Sequence, residues 1–156
     1  MTSHLDPLTD WFFEDFSAGQ VFHTQGRTIT EADITSFAGW SWDTNPVHTD
    51  AVHSAGGRFG GPIAHGVLGL SVAMGLASGL GVFEQCSIAL LGIDGWRFER
   101  PVVAGDTLRC RIHITGTRAT SNGRAGILER DFALTNQDET VVQRGSIGLM
   151  VACRPN

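Results

Sequence analysis

The stretch GPIAHGVLGLSVAMGLASGLG, residues 61–81, decides the fold. Its apolar residues, Val67, Leu68, Leu70, Val72, Met74, Leu76 and Leu80, leave almost no polar face. The pattern predicts a helix from about Ile63 to Leu80, with Gly81 placed to stop it. A helix that is apolar nearly all round must be enclosed by other structure. Glycines at 66, 69, 75, 79 and 81 break the run and no basic flanks frame it, so it reads as a buried helix and not a membrane span. Each interior glycine costs about 0.5–1 kcal/mol relative to alanine. Close approach of sheet backbone or of a ligand is the best explanation for that cost.

On its C-terminal side the chain is rich in strands. Residues 86–98 carry Ile88, Leu90, Leu91, Ile93, Trp96 and Phe98, and Pro101 with Gly105-Asp106 makes the next turn. Leu108, Cys110, Ile112 and Ile114 then alternate with Arg109, Arg111, His113 and Thr115. Asn122-Gly123 is a hairpin signal, followed by the alternation of Leu128, Phe132 and Leu134. A turn at Asn136–Glu139 leads into a last strand from Val141 to Val151.

On the N-terminal side, an aromatic lead (Trp11, Phe12, Phe13, Phe16) precedes a strand near Val21 to Ile29. Thr30 and Asp33 mark the start of a short helix docked by Ile34, Phe37 and Ala38. Asp50 is placed to cap a further turn through Ser54. Strand, helices, then four antiparallel strands describe an α+β domain with one long helix and a curved sheet around it.

The 156 residues suit a single domain, 1–156, with residues 1–10 as a flexible lead. Hydrophobic content of 42% and charged content of 17% are those of a globular chain. The formal charge of −5 offers no basic field for nucleic acid. All 11 basic residues are arginine, so an anionic ligand must be held by Arg, backbone N–H groups or a helix N-terminus. Cys86, Cys110 and Cys153 are too scattered for a zinc site or a disulfide framework and read as reduced thiols. With an N-terminus that lacks the pattern of a signal peptide, these features point to the cytoplasm and to no membrane.

The chemistry concentrates in Asp43-Thr-Asn45-Pro46-Val-His48, just upstream of the long helix. Pro46 fixes its own φ and biases Asn45 away from the helical region, so the segment is a loop of one preferred shape. A carboxylate and an imidazole on one rigid loop suit proton transfer. The other reading is that Asp43 or Asn45 caps the turn and His48 sits on the surface.

The loop and its surroundings resemble the MaoC-like dehydratases, the (R)-specific enoyl-CoA hydratase family. Phe37-Ala-Gly-Trp-Ser-Trp-Asp43-Thr-Asn45-Pro46-Val47-His48 is similar to the family motif. Phe13-Glu14-Asp15-Phe16, Gly19-Gln20, Gly61-Pro62-Ile63-Ala64-His65-Gly66 and Phe98 with Pro101-Val102 extend the resemblance over most of the chain. It implies a hot dog fold, a long central helix wrapped by a curved antiparallel sheet of about five strands. It also implies reversible syn hydration of a 2-enoyl thioester to the (3R)-hydroxyacyl thioester. Asp43 and His48 are then the catalytic pair, and Asn45 holds the loop. The thioester of coenzyme A, or of acyl carrier protein, is the substrate, and no cofactor is needed. A homodimer or dimer of dimers is implied as well. Apolar residues on both alternations of the last strand, such as Val141 with Val142 and Leu149 with Met150, agree with a second covered face.

Around that pair, the helix entry His65-Gly66-Val67 offers backbone N–H groups to an oxyanion on the thioester, although Gly66 also serves simple close packing. His65 reads as a pocket-wall residue and not as a third catalyst. The family places glycine where this chain has Trp42, which with Trp40 predicts an aromatic-lined acyl pocket. Arg58 and Arg97 are candidates for phosphate. A metal held by Asp43, His48 and His53 lacks a recognised ligand spacing, so no metal site is expected. Two other functions remain open on this type of fold: an acyl-CoA thioesterase, and a non-catalytic acyl-binding or assembly subunit with Trp42 filling the pocket, which a solvent-facing Asp43 far from His48 would favour.

Overall fold

The computed structural model describes residues 10–155. The predicted flexible lead falls almost wholly outside them. Four long strands carry the sheet: β3 (Ser87–Phe98), β4 (Thr107–Ala119), β5 (Ala125–Thr135) and β6 (Val141–Ala152). Two short ones, β1 (Val21–His23) and β2 (Arg27–Thr28), pair with β4. The main path runs β1-β4-β5-β6-β3, antiparallel throughout. The predicted strand from Val21 to Ile29 is therefore interrupted. Thr24 N–H still donates to the Cys110 carbonyl at 3.0 Å, and its hydroxyl accepts from Cys110 N–H at 2.9 Å. The chain then steps out before β2.

The period-two pattern of the strands sets the buried face. Leu108, Cys110, Ile112 and Ile114 point inward from β4, as do Leu128, Phe132 and Leu134 from β5. Ile147, Leu149 and Val151 complete it from β6. Leu68, Ala73 and Ala77 of the long helix α4 (Gly66–Ser78) pack on this face in one continuous core. A long helix on a curved antiparallel sheet is the hot dog arrangement.

The helix begins at Gly66, later than the sequence predicts, because its approach is spent on other partners. Ile63 N–H donates to Val47 and Ala64 N–H to Val102, which holds the entry segment extended. The helix is also only half covered. Val67, Ser71 and Gly75 are exposed, so full enclosure does not occur within this one chain. A Cβ at Gly69 would lie 2.2 Å from Gln143 Nε2, which explains that glycine by close approach. Nothing described explains Gly75. No helix among the described residues is long and apolar enough to cross a membrane.

Three short helices carry the chain from β2 to α4: α1 (Glu31–Ser41), α2 (Pro46–Thr49) and α3 (Ala51–Ala55). Thr30 and Asp33 form the expected capping box on α1, and Arg27 pairs with Asp33 at 2.9 Å. The carboxyl of Asp33 is held below its usual range by the backbone N–H and hydroxyl of Thr30, and by Arg27. Asp50 caps α3 by accepting from His53 N–H.

Candidate active site

The Asp43–His48 loop is built by two helix ends. At the C-cap of α1, Trp42 takes the left-handed conformation, φ +63°, and turns the chain toward Asp43. Glycine adopts this region without strain and an indole-bearing residue does not, which is a physical reason for the glycine in the family motif. Asn45 then caps α2, its Oδ1 accepting from Val47 N–H at 3.1 Å, and Pro46 opens the helix. Asp43 Oδ1 accepts from Asn45 N–H at 3.3 Å. The single turn of α2 brings His48 back over the loop.

His48 is half-buried, and its Nδ1 lies 2.7 Å from the carbonyl of Ile63. A carbonyl only accepts, so Nδ1 carries the proton and the Nε2 of a neutral ring is left as an acceptor. His65, only 3% exposed, stacks on His48 with ring centres 3.8 Å apart. By the same argument its Nε2–H donates to the carbonyl of Asp43, at 2.8 Å. His65 Nδ1 is buried and meets no partner among the described residues. Phe37 packs against the His65 ring at 5.1 Å. A carboxylate oxygen of Asp43 and a ring nitrogen of each histidine lie within 4.8 Å of one another.

That spacing admits one water-sized group between acid and base. It also presents three donors to a metal ion, with His65 in the place the sequence offered to His53. His53 is exposed on α3 and outside this cluster. Of the two features expected of an inert subunit, Asp43 shows one: it is solvent-exposed, but it lies close to His48.

His48 opens on a pocket of about 570 Å³ whose walls include Gly66, Val67, Phe98 and Gln143. Among the described residues the N–H groups of Gly66 and Val67 meet no acceptor: the His65 side chain makes no cap bond, and the His65 carbonyl accepts only from Leu68 and Gly69. A Cβ on Gly66 would sit 2.8 Å from the Phe98 ring, so close packing demands this glycine whatever else it does. Buried Gln143 ties the pocket floor together: its amide donates to Gly66 carbonyl at 3.0 Å and accepts from Trp96 Nε1–H at 3.1 Å.

The arginines divide. Arg58 lies on the rim of this pocket with Arg100, whereas Arg97 is on a separate patch with Arg111 and Arg144. The aromatic lining expected of Trp40 and Trp42 is not present in this chain. Trp42 is 87% exposed, because the left-handed cap sends its side chain outward, and it lines none of the described cavities. Trp40 is 82% exposed on the rim of a different groove, between α1 and α4. Gln143 and Arg100 escaped the sequence reading. For Gln143 a signal existed: it is a polar residue in line with the inward Ile147, Leu149 and Val151 of β6.

A model of the MaoC like domain matches residues 15–131. The chain is 39% identical over 101 residues to Protein MaoC of Klebsiella aerogenes, a match covering 65% of this chain but only 30% of that longer protein. It is 34% identical over 111 residues to the (R)-specific enoyl-CoA hydratase of Rhodospirillum rubrum, covering 71% of this chain and 74% of that protein. Among solved structures, the monoamine oxidase regulatory protein from Archaeoglobus fulgius superposes with a TM-score of 0.86 at 30% identity, covering 94% of this chain and 97% of that one. With both the motif loop and the fold in agreement, the chain belongs to the MaoC-like dehydratase domain family, related to the (R)-specific enoyl-CoA hydratases.

Proposed function

We propose that this protein hydrates a trans-2-enoyl thioester to the (3R)-hydroxyacyl thioester and catalyses the reverse dehydration. The observation that carries this reading is the shared pocket. His48, with a free acceptor nitrogen, and the unbonded N–H groups at the start of α4 open on the same cavity, and Asp43 stands within 4.8 Å of His48. Water held between Asp43 and His48 adds its oxygen to C3, and its proton is delivered to C2. The charge that builds on the thioester oxygen is met by the N–H groups of Gly66 and Val67 and the positive end of α4. His65 is a positioning residue: its N–H holds the Asp43 backbone and its ring supports His48. Arg58 and Arg100 on the rim suit the phosphates of a coenzyme A or acyl carrier protein thioester. The hydratase similar to this chain acts in the sense its name states, which supports the same class of substrate here.

We also propose a homodimer, formed along β3. This strand ends the sheet path, so one side of its backbone is unpaired, and it exposes Ile88, Leu90, Leu91 and Ile93. The apolar residues on both alternations of the last strands, which suggest a second covered face, belong to β6, the strand paired directly with β3. Sedimentation equilibrium checks this assembly, and a monomer at micromolar concentration would sink it.

Incubation with crotonyl-CoA, following loss of the conjugated thioester with chiral analysis of the product, tests the reaction. The (3R) product is expected, with turnover falling by about 10²-fold or more in Asp43→Asn and in His48→Ala. Release of free coenzyme A in place of the hydroxyacyl product would assign a thioesterase.

A further inference from the structure

The inward row of β6, Gln143, Gly145, Ile147, Leu149 and Val151, contains a single polar side chain. Gln143 is 2% exposed. An apolar residue of the same length would fill its place without the cost of burying an amide. The amide is instead held at both ends. Trp96 Nε1–H donates to Oε1 at 3.1 Å, and because an indole nitrogen only donates, this bond fixes which way the amide faces. Nε2 is thereby turned to the Gly66 carbonyl, to which it donates at 3.0 Å. Glycine at 69 leaves room for this approach, since a Cβ there would collide with Nε2.

The Gly66 carbonyl does not need this bond for its own satisfaction. As the first residue of α4, Gly66 already offers its carbonyl to the N–H of Leu70, four residues on. A second donor on that carbonyl draws electron density through the peptide, and the other end of the same peptide is the N–H of Val67. That N–H meets no acceptor among the described residues, and Val67 lines the pocket at His48.

We propose that Gln143 is a positioning residue of the oxyanion site. Through the Gly66 carbonyl it orients and polarises the Val67 N–H that meets the thioester oxygen. This role rests on the hydratase reading above. Each bond in a hydrogen-bonded chain strengthens its neighbour by about 10–30%, and one oxyanion donor is worth about 10²–10³ in rate. Removing the amide should therefore lower kcat by about two- to eightfold.

Steady-state kinetics with crotonyl-CoA test this in two variants. Gln143→Met keeps the volume and removes both bonds. Its kcat should fall by about two- to eightfold while KM stays within about twofold, because the N–H answers charge that develops only in the transition state. A packing role alone would loosen the pocket wall and raise KM instead. Gln143→Glu keeps the shape, and it decides the matter if the methionine variant does not fold. Its protonated carboxyl donates to the Gly66 carbonyl, whereas its ionised form repels it. Its kcat should match that of the unaltered protein at low pH and fall below it as pH rises. The titrations of Asp43, His48 and Glu99 are common to both proteins. An unchanged kcat in Gln143→Met, a raised KM alone, or a deficit in Gln143→Glu that does not vary with pH overturns the role. If the unaltered protein does not turn over crotonyl-CoA, the hydratase reading fails by itself, and amide resonances decide for Gln143. Loss of the bond to the Gly66 carbonyl should move the Val67 nitrogen resonance upfield and leave that of Gly66 in place. A Val67 resonance that stays put overturns the role.

Discussion

At its N-terminal end, α4 faces two stacked histidines whose ring N–H groups both end on backbone carbonyls. At its C-terminal end, the same helix covers an arginine held between two aromatic rings, with one of its nitrogens unanswered. The first arrangement orients polar groups by short bonds while leaving His48 half-open to a pocket. The second removes a full charge from water and returns only one hydrogen bond. The difference teaches that burial alone does not mark a polar residue as structural. What separates the two ends is whether the backbone has been shaped to meet the side chain.

The sharpest test of the N-terminal end is catalytic. In His48→Ala and Asp43→Asn, crotonyl-CoA hydration should fall by about 10²-fold or more, which is about 2.7 kcal/mol of barrier, while the thermal midpoint of Asp43→Asn moves little. A fall in the midpoint of Asp43→Asn that matches its loss of activity would turn Asp43 into part of the scaffold.

At the other end, Arg130→Met should stabilise the protein, by about 1–4 kcal/mol in urea unfolding. A loss of stability instead would show that Arg130 is already paired in solution.

Alkaline titration separates the two ends again. The folded pKa values of Cys86 and Cys110 are raised, so above pH 9 the unfolded chain loses thiol protons that the folded chain keeps. Stability should therefore fall as pH rises from 9 to 10, by at most about 1.4 kcal/mol per unit for each thiol. Above pH 10 the lowered pKa of Arg130 works in the opposite sense and flattens the fall. A Cys86→Ala, Cys110→Ala double variant should lose the initial slope, as urea melts across this range would show.

His65→Phe keeps a ring against His48 and Phe37 but leaves the Asp43 carbonyl without its donor. The expected cost is about 1–2 kcal/mol by denaturant unfolding, with a larger effect on kcat than on KM. An unchanged kcat would remove His65 from the positioning role.

The smallest effect belongs to Trp42→Gly. Relief of the left-handed conformation at φ +63° should add about 1 kcal/mol, or about 2–4 °C in the thermal midpoint.

Much of this molecule was legible in one dimension because its signals are local. The capping box at Thr30 and Asp33, the Asn45-Pro46 entry to α2 and the Asn122-Gly123 hairpin each depend on residues a few positions apart. The alternation of β4 and the apolar length of α4 carried the α+β class. Asp43 and His48 were legible as a pair because one short loop holds both. The misreadings came where a distant partner decides. Ile63 and Ala64 look helical until Val47 and Val102 claim their N–H groups. Trp42 looks like pocket lining until its φ is known. Gln143 and Arg130 were readable as polar interruptions of inward-facing rows, but nothing local says what they meet.

The sequence by itself determined the periodicities, the caps and the shape of the Asp43–His48 loop, since these follow from backbone sterics and from the faces that residue spacing creates. Tertiary structure alone decided that His65 would lie on His48, that Gln143 would reach Gly66, and that Arg130 would be enclosed between Phe83 and Phe132. Each of those contacts joins chain segments brought together only when the sheet curls against α4. Their geometry depends on packing across the core, which no local pattern encodes.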